Sequence, residues 1–170
     1  MGAVKQAMNI EKITRDTAAQ TSYIYAMSWK TGYKGIIPQS YLDQISLERW
    51  ANRLGNEHED FQADYIVSDH GKFVATSSIS KARDTQYRGW GEIISIYVLP
   101  EEFRKGYGRA LFSYVTNQLK ENGFSQIYLW VLEENQRARA FYEAMGFHAN
   151  GDRITQNIGG KDLIEVRYVN

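Results

Sequence analysis

Residues 93–115, IISIYVLPEEFRKGYGRALFSYV, constrain the fold more than any other part of the chain. An apolar run stops at Pro100. A charged loop with glycines at 106 and 108 follows, and then a segment in which Leu111, Tyr114, Val115 and Leu119 share one helical face. This order predicts strand, loop and helix, the helix covering 104–122 and stopping at Gly123. The first N–H groups of a helix lack internal partners and lie at the positive end of its dipole, so they attract anions. Gly106 and Gly108 let an anion approach the backbone. Arg104, Lys105 and Arg109 add positive charge. The stretch reads either as a phosphate loop or as a tight turn with solvated basic residues. Two nucleotide-binding patterns are absent. A P-loop needs G-x-x-x-x-G-K-[ST], and a Rossmann fingerprint needs a third glycine where Leu111 stands.

Composition narrows the chemistry. A chain of 170 residues fits one domain. Twenty basic residues balance twenty acidic ones, which gives no electrostatic reason to expect a nucleic-acid partner. No cysteine is present, so disulfides and thiolate nucleophiles are excluded. His58, His70 and His148 form no spaced pair, so no metal site is expected. No apolar run approaches the roughly 20 residues of a membrane span, and no signal-peptide pattern opens the chain. The expected setting is cytoplasmic, with residues 1–8 as an extension.

The rest of the chain supplies elements for a mixed α/β domain. A first strand is expected within 8–15, a helix over 17–30, and two short helices over 38–45 and 47–54. Strands follow over 61–68 and 72–80, joined by an Asp69-His70-Gly71 turn. The third of this group covers 90–99. After the glycine loop come a nearly all-apolar strand at 127–132 and a helix over 135–145. A closing hairpin over 147–155 and 163–169 carries Gly159-Gly160 in its loop.

Two segments together, EIISIYVLPEEFRKGYGRALFSYV and LWVLEENQRARAFYEAMGF, resemble the GNAT acyltransferase superfamily. The first is similar to its strand-loop-helix for the acetyl-CoA pyrophosphate, written Q/R-x-x-G-x-G/A. Phe103 stands where that pattern has Gln or Arg, with Arg104 next to it. The resemblance spans about residues 9–169. SWKTGYKGIIPQSYLDQIS is similar to the first-helix region of one broad branch of undefined acceptor, and EVRYV to its last strand. It implies a mostly antiparallel sheet of six to seven strands, splayed at its centre and flanked by about four helices.

The implied activity is acetyl transfer from acetyl-CoA to a small-molecule or protein amine, by direct attack in a ternary complex. Another short acyl-CoA, or a non-catalytic acyl-CoA sensor, is the alternative. The implied cofactor contacts are Ile96, Tyr97 and Val98 in the splayed strand, where a backbone N–H polarises the thioester, and Arg104, Lys105, Gly106, Tyr107, Gly108, Arg109 and Ala110 in the loop. Asn135, Arg139 and Tyr142 follow; their spacing of four and three puts them on one helical face.

On spacing alone Asn135 reads as a helix cap and Tyr142 as a core aromatic; the resemblance makes Tyr142 the proton donor. A phenol, with a reference pKa of about 10, is protonated at neutral pH and can supply a departing thiolate. Glu92 reads either as a base, sharing parity with Ile94, Ile96 and Val98, or as a solvated strand-end carboxylate. A bulge in the strand would change its facing. Glu165 and Asp43 are fallback bases. Trp29 and Tyr33, with Tyr41, are expected either to wall the acceptor pocket or to pack the core. A homodimer is a further expectation, with the apolar last strand reading either as its pairing edge or as ordinary core.

Overall fold

A computed structural model describes residues 8–170. The expected N-terminal extension falls, up to residue 7, outside the described residues. One seven-stranded sheet runs in the order β1-β2-β3-β4-β5-β7-β6. Its strands are β1 Asn9–Lys12, β2 Gln62–Asp69, β3 Lys72–Lys81, β4 Gly91–Val98, β5 Ile127–Leu132, β6 His148–Ile158 and β7 Lys161–Val169. The α-helices are α1 Ala18–Gly32, α2 Gln39–Asp43, α3 Tyr107–Glu121 and α4 Gln136–Ala144. All neighbouring strands are antiparallel except β4 and β5. The architecture is the one the resemblance implies.

The two faces of the sheet carry different helices. Leu111, Phe112, Val115 and Leu119 of α3 pack with Tyr65, Ile93, Leu129 and Tyr168, and Tyr142 of α4 joins the same cluster. Ile24 and Ala26 of α1 and Leu42 of α2 pack on the opposite face, with Ile66, Leu132 and Leu163. Side chains alternate along β2, β5 and β7, so each strand feeds both layers. That is why 127–132 is apolar on both faces.

The centre of the sheet opens. β4 and β5 pair only at Gly91–Ile127 and Glu92–Tyr128 and then diverge, leaving the rest of the β4 edge without a strand partner. β4 also carries a bulge: Ser78 pairs with Ser95 and Ile79 with Ile93, so Ile94 is the extra residue. As a result Ile93 before it and Ile96 and Val98 after it pack against the same cluster.

Four expectations are corrected. The 47–54 segment is a turn followed by a 3-10 helix, Ala51–Arg53. The Ser22 hydroxyl donates to the Leu47 carbonyl and accepts from the Trp50 N–H, taking backbone groups a helix would need. α3 starts at Tyr107 rather than 104, because Arg104 and Gly106 adopt positive φ, 63° and 91°. β7 lies between β5 and β6, with Leu163 and Val166 in the core, so it is core rather than a free edge for a dimer; among the described residues the outermost strands are β1 and β6. Glu92 does not share a face with Ile96 and Val98, since the bulge shifts the alternation.

Candidate active site

The opening between β4 and β5 is the floor of one cleft of about 1160 Å³. One half is built from the glycine loop and α4. Arg104, Gly106, Tyr107, Gly108 and Arg109 line it, with Ile96 and Val98 beneath and Asn135, Arg137, Ala138 and Phe141 opposite. The loop is held in place from β2. The Tyr107 hydroxyl donates to Asp69 Oδ2 at 2.6 Å, which pushes the phenol pKa up to about 12. Asp69 itself ends the strand at the hairpin turn, where His70 and Gly71 both have positive φ.

Polyanion chemistry suits this half. A Cβ built on Gly106 meets nothing within 4 Å, and one on Gly108 only reaches ordinary contact with Phe141 and Val98, so the approach to the backbone is open. Tyr107, Gly108 and Arg109, which begin α3 and whose N–H groups have no partner within the helix, line this space. Among the described residues Arg104, Arg109 and Arg137 form no ion pair. The Arg137 guanidinium lies 3.4 Å from the centroid of the Phe103 ring. Burial, and then the neighbouring Arg104, hold its pKa below the usual guanidinium range. Two crowded cations without a carboxylate call for an anion between them. Three phosphate groups of a coenzyme A fit that donor set. Lys105 is not among the lining side chains: its ammonium binds Glu102 at 2.8 Å, and Lys72 binds the same carboxylate at 2.6 Å. Ala110 lies outside the lining residues.

α4 presents Asn135, Ala138, Phe141 and Tyr142 to the cleft. The Asn135 side chain accepts from the Ala138 N–H at 3.2 Å, so it is the helix cap. Arg139 turns away: it donates to the Tyr168 hydroxyl at 3.0 Å and the Glu133 carbonyl at 3.1 Å. The cationic side chain in the cleft is Arg137, two residues earlier, which sequence spacing did not single out. Its signal was Phe103, the aromatic in place of the family's polar residue, for which Arg137 is the stacking partner.

The other half is aromatic and contains the reacting-group candidates. Trp29 and Tyr33 line it, as do Tyr25, Trp50 and Tyr97. The Trp29 indole donates to the Tyr97 hydroxyl at 3.0 Å, and Tyr25 meets the Ser95 hydroxyl at 3.0 Å. Tyr142 is 9% exposed and reaches the cleft, and its hydroxyl has no hydrogen-bond partner among the described residues. Burial, and then Tyr97, push its pKa well up, so the phenol stays protonated. Glu165 also lines the cleft. Burial raises the pKa of its carboxyl. Tyr33, Tyr97, Tyr142 and Glu165 all line this half of the cleft.

Glu92 stands apart from this group. It is 2% exposed and does not line the cleft. Arg83 binds it through both Nη2, at 2.6 Å, and Nε, at 3.1 Å, and the Tyr128 hydroxyl donates at 2.9 Å. Burial works against its charge, but the Arg83 hydrogen bonds outweigh it and the pKa lies below the usual range. A carboxylate so satisfied is a poor proton acceptor. Asp43 is exposed on α2 and bonds Gln39, away from the cleft.

A family profile described as the acetyltransferase (GNAT) family matches residues 22–147. The chain belongs to that family. This GNAT chain is 30% identical to the uncharacterized N-acetyltransferase YuaI of Bacillus subtilis (strain 168) over 122 residues, 71% of the chain and 69% of YuaI. It is 22% identical to a spermidine N(1)-acetyltransferase of Thermoplasma acidophilum, covering 95% of the chain and 98% of that protein. The fold is similar to that of the PaiA N-acetyltransferase from Thermoplasma acidophilum in complex with coenzyme A. The TM-score is 0.70 at 19% identity, over 95% of this chain and 98% of that one. The GNAT protein is an N-acetyltransferase, with acetyl-CoA as acyl donor and an amine as acceptor.

Proposed function

We propose that the cleft transfers the acetyl group directly to a primary amine in a ternary complex, with Tyr142 as proton donor and Glu165 as base. The observation that carries this reading is that the unpartnered Tyr142 hydroxyl and the half-buried Glu165 carboxyl line one cleft where β4 and β5 part. When bound, acetyl-CoA supplies the activated acyl group; its phosphates would be held by Arg104, Arg109, Arg137 and the N–H groups of the glycine loop. The β4 edge from Ile94 onward, without a strand partner, is where a backbone N–H can meet the developing oxyanion.

In the proposed sequence Glu165 accepts a proton from the substrate ammonium, freeing the nitrogen lone pair. The new N–C bond forms, and the C–S bond breaks as Tyr142 donates its proton to the leaving sulfur. The acylated nitrogen gives up its second proton to the Tyr142 phenolate, so the products are the amide, the free thiol and a neutral phenol. Holding both reactants in one cleft contributes much of the rate by removing the entropy cost of encounter. Trp29 and Tyr33 wall the amine. That the Thermoplasma acidophilum relative is named for spermidine supports a primary amine acceptor. The unpartnered Tyr142 hydroxyl favours a catalyst over a binding module. Among the described residues no helix is long and apolar enough to cross a membrane. The proposed setting is the cytoplasm, and a homodimer joined by main-chain bonds would pair through the outer edge of β6.

The donor site has two direct tests. Acetyl-CoA at 100 times its Kd should stabilise the protein by about 2.7 kcal/mol, read as a thermal shift; no shift would sink the reading. Arg137→Ala should raise the acetyl-CoA Kd about tenfold to a hundredfold, since a charge-assisted bond to an anion contributes about 1.5–3 kcal/mol. Calorimetry at two salt concentrations checks this, and an unchanged Kd would remove Arg137 from the phosphate contacts.

A further inference from the structure

The cleft is divided by charge. Its cofactor half carries the unpaired cations Arg104, Arg109 and Arg137. The Glu102 carboxylate also lines that half but is neutralised by Lys72 and Lys105, whereas the acceptor half carries two carboxylates, Asp64 and Glu165. Of the cations there, Arg83 is neutralised by Glu92, and Arg53 is an exposed side chain that makes no ion pair with either carboxylate. Glu165 has a place in the proposed chemistry. Asp64 does not.

Asp64 is unusual in its own right. Its side chain is 9% exposed, yet among the described residues the nearest basic side chain is the His58 imidazole, its Nε2 3.6 Å away and beyond hydrogen-bond length. Buried carboxylates ordinarily accept two or more hydrogen bonds. This one opens instead into the cleft. In the sheet it pairs with Ser78, and Ser78 pairs with Ser95, so the three side chains form a row on the α1 face. Two strand spacings separate Asp64 from Ser95, about 10 Å. Ser95 lies where β4 begins to diverge from β5, beside the proposed reaction point. An aromatic cluster meets the row at Ser95, whose hydroxyl is 3.0 Å from the Tyr25 hydroxyl; the Tyr25 ring lies 5.0 Å from Tyr97 and 5.6 Å from Trp50, and all three rings line the cleft.

A track with a carboxylate at each end, polar groups along its floor and an aromatic cluster at Ser95 fits one kind of acceptor. We propose that the substrate is a linear aliphatic di- or polyamine. One terminal nitrogen attacks the acetyl group beside Glu165, and a second, protonated nitrogen is held by Asp64. The methylene chain lies along Ser78 and Ser95 beside Tyr25 and Trp50. Ammonium groups gain from both the carboxylates and the ring faces. The inference rests on the transferase reading above and adds the substrate class to it.

The test is a set of acceptors assayed by CoA release with the native protein: straight-chain monoamines, α,ω-diamines of increasing length, a linear triamine, and a short peptide with a free N-terminus. The expected result is a kcat/KM for the best diamine or triamine at least tenfold above that of the monoamine of equal length, with an optimum along the diamine series. Asp64→Asn should collapse that ratio towards one, about a tenfold to hundredfold loss of discrimination. Equal use of monoamines and diamines by the native protein, or preference for the peptide, would overturn this proposal and leave the transferase reading standing. No transfer to any amine by a protein that binds acetyl-CoA would overturn both. Discrimination by the native protein that Asp64→Asn leaves intact, in a variant with an unchanged melting temperature, would also overturn it.

Discussion

Tyr142→Phe is expected to lower kcat for amine acetylation by about two to four orders of magnitude, the range lost when a positioned acid is removed. The phenol has no hydrogen-bond partner among the described residues, it lines the cleft, and burial keeps it protonated. The ring itself packs with Phe112 and Tyr168, at centroid distances of 6.0 and 6.2 Å, and phenylalanine preserves those contacts. Acetyl-CoA affinity and melting temperature should therefore change little. Steady-state kinetics beside a calorimetric Kd separates the two effects. A kcat unchanged at saturating amine, with chemistry shown to be rate-limiting by a single-turnover measurement, would remove Tyr142 from the proton path.

The second large effect is expected at Glu165, and it has a pH signature. A carboxylate acts as base only when ionised, so kcat/KM should rise with pH through the Glu165 pKa. Burial raises that pKa, which places the inflexion above the value of about 4.3 for an exposed glutamate. Glu165→Gln should lower kcat by about two orders of magnitude or more and abolish that inflexion. The stability effect runs the other way. A carboxyl whose folded pKa is raised binds its proton more tightly in the native state, so its contribution falls as pH rises from the unfolded towards the folded pKa. At neutral pH it is ionised and desolvated, and glutamine in its place should not lower the melting temperature. A variant that melts no earlier and is still inactive separates catalysis from folding. Retention of the acid limb in Glu165→Gln would assign the base elsewhere.

Glu92 and Glu165 show where sequence reading stopped. Both are glutamates in apolar strands, Glu92 on β4 at the opening and Glu165 on β7, one strand beyond β5. Strict alternation put Glu92 with Ile96 and Val98, and alternation fails at one residue, Ile94, the β4 bulge. A bulge depends on how β3 and β4 register against each other, and nothing local to 91–98 specifies it. Once the facing shifts, Glu92 meets Arg83 and Tyr128, residues 9 positions before and 36 after it. Arg139 and Arg137 repeat the lesson on α4. Their spacing from Asn135 is known from sequence, but which faces the cleft depends on how α4 rests on β7, where Tyr168 captures Arg139.

The glycine loop was more legible because its chemistry is local. Two glycines before an amphipathic run set a backbone turn and a helix N-terminus, whatever packs around them. Even there, the side chains needed the fold. Lys105 is drawn to Glu102, which Lys72 of β3 also binds, and Phe103 becomes a platform for an arginine from a helix more than 30 residues away. By itself the sequence determined the strand, loop and helix of 93–115, the class of the fold, and the family that pairs this loop with the tyrosine of α4. Periodicity and backbone preferences act over a few residues and are written in consecutive positions. Only the tertiary structure decided which carboxylate and which arginine enter the cleft. Those assignments depend on the register of paired strands and the seating of helices, which the whole chain sets together.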